Sequence, residues 1–119
     1  MFPNYDGNGM YLSMGNLTAT AQVGLLFIDF ARPQRLRVHG AARIVEADAH
    51  GPDCAGAQFL VRVEVQRVFP NCPRYIHTMQ QTAHSEYVPH ADEAPPVPKW
   101  KRMDWAIDVL PAGDPARDK

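Results

Sequence analysis

Two kinds of hydrophobic period run along this chain, a short helical one followed by three stretches with the period of a strand. Met10, Met14 and Leu17 recur at i, i+4 and i+7 with Ser13 and Asn16 flanking them, which predicts a short helix. Asn8 suits its N-cap, because the side chain can accept from the first free backbone N–H groups. The β-branched Thr18 and Thr20 should let the helix fade. Gln22–Phe30 (QVGLLFIDF) is apolar on both faces and predicts a central strand covered on each side. Arg32-Pro33, within Ala31–Gln34, marks a hairpin turn. Arg35–Val45 then alternates, with Leu36, Val38, Ala42 and Ile44 on one face and Arg35, Arg37, His39 and Arg43 on the other. Phe59–Phe69 alternates again, Phe59, Val61, Val63 and Val65 inward and Arg62, Glu64 and Gln66 outward. Three consecutive strands with short connections predict an antiparallel meander, so the fold class is mainly β with short helices. Three strands cannot close a barrel. Either a second copy completes the sheet or strands belong before Met1.

The remaining segments are less periodic. Residues 1–9 (MFPNYDGNG) are rich in turn formers, and Glu46–Ala57 reads as a loop with room for a helical turn. Asn71-Cys72-Pro73 is a helix-start pattern that would run to about Met79. Gln80–Lys99 is polar and proline-rich and should be extended, Trp100–Leu110 should dock as a short helix, and Ala112–Lys119 should fray. The chain therefore divides into a core over 1–79 and an irregular extension over 80–119 that packs on it.

Composition narrows the function classes. A length of 119 residues with 45% hydrophobic residues suits one domain with a real core. Twelve Lys+Arg against thirteen Asp+Glu leave no basic excess for non-specific nucleic-acid binding, so no nucleic-acid partner is expected. No run approaches the roughly 20 apolar residues of a membrane helix, and no basic-then-apolar leader opens the chain. Two cysteines, eighteen positions apart, suggest neither a disulfide scaffold nor a zinc or thioredoxin-like pair, and a reducing cytoplasm is the expected location.

The sharpest chemical feature is the turn Asp6-Gly7-Asn8-Gly9-Met10 entering the predicted helix. Glycines allow close backbone approach and a helix N-terminus favours an anion, with Ser13 and Asn16 as added donors. The alternative is a plain capped turn, and Asp6 opposes an anion unless it faces away. The Arg35, Arg37, His39, Arg43 stripe offers forked donors to a phosphate, a carboxylate or a flavin carbonyl. It is otherwise a solvated face balanced by Glu64 and Asp29. As a nucleic-acid platform it would want aromatic residues among the arginines, and this strand has none. His77, His84 and His90, with Glu86 and Asp92, match no common zinc spacing, so no metal is expected. Cys72 at a helix start could be activated but reads more simply as an inert thiol, and Trp100 and Trp105 as packing anchors. No catalytic Ser/His/Asp arrangement is legible, so catalytic residues stay unassigned.

Taken together, FPNYDGNGMYLSMGNLTATAQVGLLFIDFARPQRLRVHGAARIV resembles the pyridoxamine 5′-phosphate oxidase-like family of FMN-binding split barrels, and most of all its flavin-nucleotide-binding branch. The carrying motifs are the DGNGM turn with its S-x-GN helix, then VGLLFIDF, then RLRV-x-G; VFPNCPRYIH and PKWKRMDWAIDVLP resemble the same branch. The resemblance implies a six-stranded split β-barrel that forms a homodimer with FMN at the interface, antiparallel and incomplete in this chain. Ser13 then stands roughly where the family places a basic residue for the FMN phosphate. The loop Tyr5–Met10, with Tyr5, Asp6, Asn8, Gly9 and Met10, lines the flavin, Asn16 adds a donor, and Arg35 approaches the isoalloxazine ring. Relative to the family the chain starts after its first strands, one of which carries a phosphate-binding arginine motif, so a truncated or misassigned start is expected. The arginine and tryptophan that recognise pyridoxine substrates have no match in the tail, which argues against pyridoxamine 5′-phosphate as substrate. The implied function is an FMN-dependent oxidoreductase on an unidentified small substrate; the alternative is a non-catalytic flavin-binding or partner-binding module.

Overall fold

In the computed structural model, which describes residues 1–47 and 54–117, the sheet has four strands rather than three. Strand β1 (Phe2–Tyr5) comes first, then helix α1 (Leu12–Thr20), β2 (Gln22–Asp29), β3 (Gln34–Val45) and β4 (Ala57–Asn71). A 3₁₀ turn at Lys99–Arg102 and the single-turn helix α2 (Asp104–Ile107) follow. The spatial order is β1-β4-β3-β2, every pair antiparallel. The sheet curls into half of a barrel, mainly β with few short helices, as an incomplete split barrel would be.

Two corrections concern the ends of the sheet. The turn-rich start holds β1, whose Phe2 and Asn4 stand opposite Val61 and Phe59. Asparagine and proline are poor strand formers in general, but β1 is an edge strand where a missing ladder donor is tolerated. β2 is the other edge rather than a central strand, and Leu26, Phe27 and Ile28 are exposed. Its two-sided apolar character is thus present but uncovered.

β2 and β3 pair in continuous register from Gln22↔Ala41 to Asp29↔Gln34. The Asp29 carboxylate closes their turn by accepting from the N–H groups of Ala31 (3.0 Å) and Arg32 (2.9 Å). Between β3 and β4 the register shifts at His39/Gly40, so that Gln66 is an extra residue on β4. Gly40 belongs there because a Cβ would meet the Glu64 carbonyl. The bulge also reverses parity, so Arg67 and Phe69 share a face with Arg62 and Glu64 instead of pointing the other way.

The core lies between α1 and one sheet face, where Leu17, Ala42 and Val61 are buried with Phe2, Met14, Val23, Phe59 and Val63 around them. α1 starts at Leu12, not Met10, with Tyr11 as its N-cap in the left-handed region. Met10 is therefore outside the helix and 62% exposed. Asn8 does not cap the helix; its Oδ1 accepts from the Met10 N–H at 3.1 Å one turn earlier. At the other end Ala21 caps through its N–H to the Leu17 carbonyl (2.9 Å), and its carbonyl accepts from Ala42 of β3 (2.7 Å).

Beyond β4 the predicted helix to Met79 is absent: β4 continues through Pro70, and only a turn forms at Arg74–Tyr75. Residues 76–98 contain no helix and one isolated bridge, His90↔Glu93. The Trp100–Leu110 segment is the 3₁₀ turn and α2 rather than one helix. Part of the expected Glu46–Ala57 loop and the last two residues of the expected frayed end lie outside the described residues. The rest of that end is anchored through Asp114, which is buried. The radius of gyration is 17.0 Å, against about 13.5 Å for a compact domain of this length. That excess goes with the half-covered sheet.

Candidate functional site

The sequence-predicted site residues do not fall in one place. Tyr5 ends β1 and, with Asp6, lines a cavity of about 360 Å³ whose other walls are Tyr87, Pro89 and the Pro95–Pro98 run. Asn8, Met10 and Ser13 line a separate shallow depression of about 240 Å³ together with Asn4 and Tyr11. Asn16 lies one turn along α1, exposed, and its carbonyl accepts from the Thr20 hydroxyl. Arg35 stands at the far end of β3.

The depression sits at the start of α1. The first N–H groups of any helix lack intrahelical acceptors. Here no side chain caps them and no acidic residue occupies the first turn. The Ser13 hydroxyl is beside them. An uncapped helix start with a neighbouring hydroxyl is chemically suited to an anion such as a phosphate group.

Asp6, which stands against an anion in the sequence, is taken up elsewhere. Both its carboxylate oxygens accept from Lys101 Nζ at 2.7 Å. Lys101 is 1% exposed and also donates to Asp114 Oδ2 at 2.6 Å, while Asp114 accepts from the Ala116 N–H at 2.9 Å. Burial works against the charge on Lys101, but the hydrogen bonds to Asp114 and Asp6 outweigh it and raise its pKa. Burial likewise works against ionisation of Asp114, and the Lys101 bond with the Ala116 amide lowers its pKa on balance. Gly9 (φ +73°) packs in the same direction, since a Cβ there would lie 2.7 Å from Pro111 Cδ. Two of the loop's distinctive residues thus hold the C-terminal segment against it.

Arg35 is not brought to this loop. The helix docks on β3 at Ala42, seven residues and roughly 23 Å along the strand from Arg35. By parity the two also lie on opposite faces of the sheet. Arg35 Nη2 donates to the Arg74 carbonyl at 3.2 Å, while its Nε is buried without a partner. In one chain the loop, the helix start and Arg35 cannot form one small-molecule site.

Lys101 and Pro111 were not legible as site residues. The partners of Lys101 lie 95 and 13 residues away, and no local pattern announces such a contact. His77, His84 and His90 are exposed, and no three His, Cys, Asp or Glu side chains gather among the described residues. Cys72 is exposed and starts no helix. No described helix is long and apolar enough to cross a membrane. Compared with known proteins, the chain matches no family model, no curated protein and no solved structure.

Proposed function

We propose that this chain is an FMN-binding protein of the pyridoxamine 5′-phosphate oxidase-like type that works as a homodimer in redox chemistry on a small substrate. The observation that carries the reading is the helix start of α1, uncapped, free of acid and opening onto the Ser13 depression, with Asp6 drawn to Lys101. The depression is smaller than the roughly 300–1,000 Å³ of most cofactor pockets, so it fits the phosphate end of the cofactor and leaves the ring end to other residues. The α1 amides and the Ser13 hydroxyl would hold the phosphate. Arg35 is the donor for the ring, from a second copy because it lies too far away in the same one, and its guanidinium would have to turn from the Arg74 carbonyl to reach a flavin. FMN would supply the hydride or electron transfer; the protein would bind, orient and exclude water.

The half-barrel supports the dimer. On the α1 face, the end of the sheet that the helix does not reach carries Phe27, Leu36, Val65 and Val68, each 40–56% exposed, beside the unpaired edge of β2. An apolar patch next to an open edge is a surface that wants a partner.

The test is titration of the purified chain with FMN, followed by quenching of flavin fluorescence, with circular dichroism on the same sample. Saturable binding by folded protein is expected, and Ser13→Ala with Asn16→Ala should weaken it about tenfold, the effect of losing one or two hydrogen bonds to a charged group. Unchanged affinity in that double variant sinks the phosphate assignment. Saturable binding without reduction by any nicotinamide or deazaflavin donor would make the protein a flavin carrier instead of an enzyme.

A further inference from the structure

The face of the sheet opposite α1 carries an unbalanced positive charge. Directly opposed residues of an antiparallel pair share a face, so β3 and β4 place Arg35/Asn71, Arg37/Phe69, His39/Arg67, Ala41/Glu64 and Arg43/Arg62 there in successive rows. Five arginines and a histidine meet one carboxylate, Glu64, and no ion pair involving any of them forms among the described residues. Arg43 faces Arg62 across the strands, a like-charge pair that is unfavourable unless an anion lies between them. The chain as a whole has a formal charge of −1, so its charge is segregated rather than low, and the composition argument against a polyanion does not reach this face.

The face also has the aromatic groups that β3 alone lacks. The bulge at Gln66 turns Phe69 into the arginine rows. Its ring meets His39 edge-on at 5.1 Å and 88° and is exposed. Beyond it, the carbonyl that anchors Arg35 belongs to Arg74, and the next residue, Tyr75, is 90% exposed with a strained φ of +66°. From Arg35 to Arg43 the rows extend over roughly 26 Å. Phosphate-binding cations around an exposed flat ring on an open sheet suit a single strand of nucleic acid: the backbone follows the charges and an unstacked base lies on the ring.

We infer that this sheet face, centred on Arg37, His39, Arg67 and Phe69, binds single-stranded nucleic acid. A duplex fits less well, because its bases are already stacked and have no use for Phe69. The inference does not rest on flavin binding, and its test leaves Arg35, Ser13 and Asn16 intact.

The experiment is fluorescence anisotropy of a fluorescein-labelled oligouridylate of about ten nucleotides, titrated with the full chain over a range of salt concentrations. Five phosphate contacts predict a slope of log K against log salt near −3.5, from about −0.7 per contact on a single strand. Arg37→Gln with Arg67→Gln should make the slope about 1.4 shallower. Phe69→Ala should weaken binding about tenfold at fixed salt without changing the slope. All these positions are exposed, so circular dichroism should show an unchanged fold. Failure of the folded chain to bind at low salt overturns the inference. So does binding that is insensitive to Phe69→Ala and matched by vesicles of phosphatidylserine in phosphatidylcholine, a result that would assign the face to an anionic membrane surface.

Discussion

Lys101 decides more at the level of single residues than any group in the glycine-rich loop. Its ammonium is buried between Asp6 and Asp114, the side chains of Lys101 and Asp114 being 1% and 2% exposed. Desolvating such a pair is costly, and its attraction and hydrogen bonds roughly offset that cost, but removing one partner leaves the other charged and alone. Lys101→Met should therefore destabilise the chain by about 3–5 kcal/mol, read as a lower urea midpoint or outright loss of the fold. Asp6→Asn, at the more exposed end, should cost clearly less; an equal cost would mean that Asp6 and not Asp114 is the partner that matters. The pH dependence has two limbs. The lowered pKa of Asp114 gives stability that is present above the ordinary carboxylate range and is lost as pH falls through the folded value. The raised pKa of Lys101 gives stability that is present below the ordinary lysine value and is lost as pH rises through the higher folded one. Urea midpoints should thus form a plateau near neutrality and fall on both sides, and Lys101→Met should remove the alkaline limb.

The elements show where pattern was sufficient and where it was not. β2, β3 and β4 begin and end within two residues of the stretches that alternation and apolar runs mark out, because side-chain period reports a pleated strand directly. The covering of β2 was not legible, since an apolar run states what a strand needs and not whether a partner supplies it. β1 was missed because Pro3 and Asn4 mimic a loop and only pairing with β4 makes them a strand. The helix expected after Asn71 failed because β4 simply continues its ladder to Arg35↔Asn71, and strand pairing overrode the helix-start signal of Cys72-Pro73. Of the candidate site, the glycine-rich turn leading into a helix was legible, although the helix starts at Leu12 instead of Met10 and lacks the Asn8 cap, whereas the clamp on Asp6 and the parity switch that brings Phe69 to Arg37 depend on contacts distant in sequence or on a bulge. α1 itself is held mainly by one side chain: Leu17 is its buried residue, with Met14 half-buried beside it. Leu17→Ala should cost about 2–4 kcal/mol and release the helix, seen as loss of helical ellipticity at lower urea concentration than loss of the sheet signal. Coincident loss of both signals would show that helix and sheet unfold as one unit.

For the whole molecule the question is what completes the half-barrel. The open β2 edge and the exposed Phe27, Leu36, Val65 and Val68 lie on the edge and on the part of the α1 face that the chain leaves bare. The opposite face is cationic, and repulsion between two such faces works against stacking copies through it. The apolar face and edge have no such obstacle. Association through them would bury side chains that otherwise face water at roughly 25 cal/mol per Å² of apolar surface; at the β2 edge, one strand from Arg35, it would also bring that arginine nearer a second copy. Sedimentation equilibrium should therefore give a dimer. Phe27→Asp with Val68→Asp, placing carboxylates in the middle of that face, should dissociate it and weaken FMN binding in parallel, even though neither position touches the Ser13 depression. Arg37→Glu, on the cationic face, should leave the dimer intact. A wild-type chain that is monomeric, folded and still binds FMN, or an aspartate variant that dissociates with undiminished FMN affinity, would separate the cofactor site from the assembly and take Arg35 out of that site.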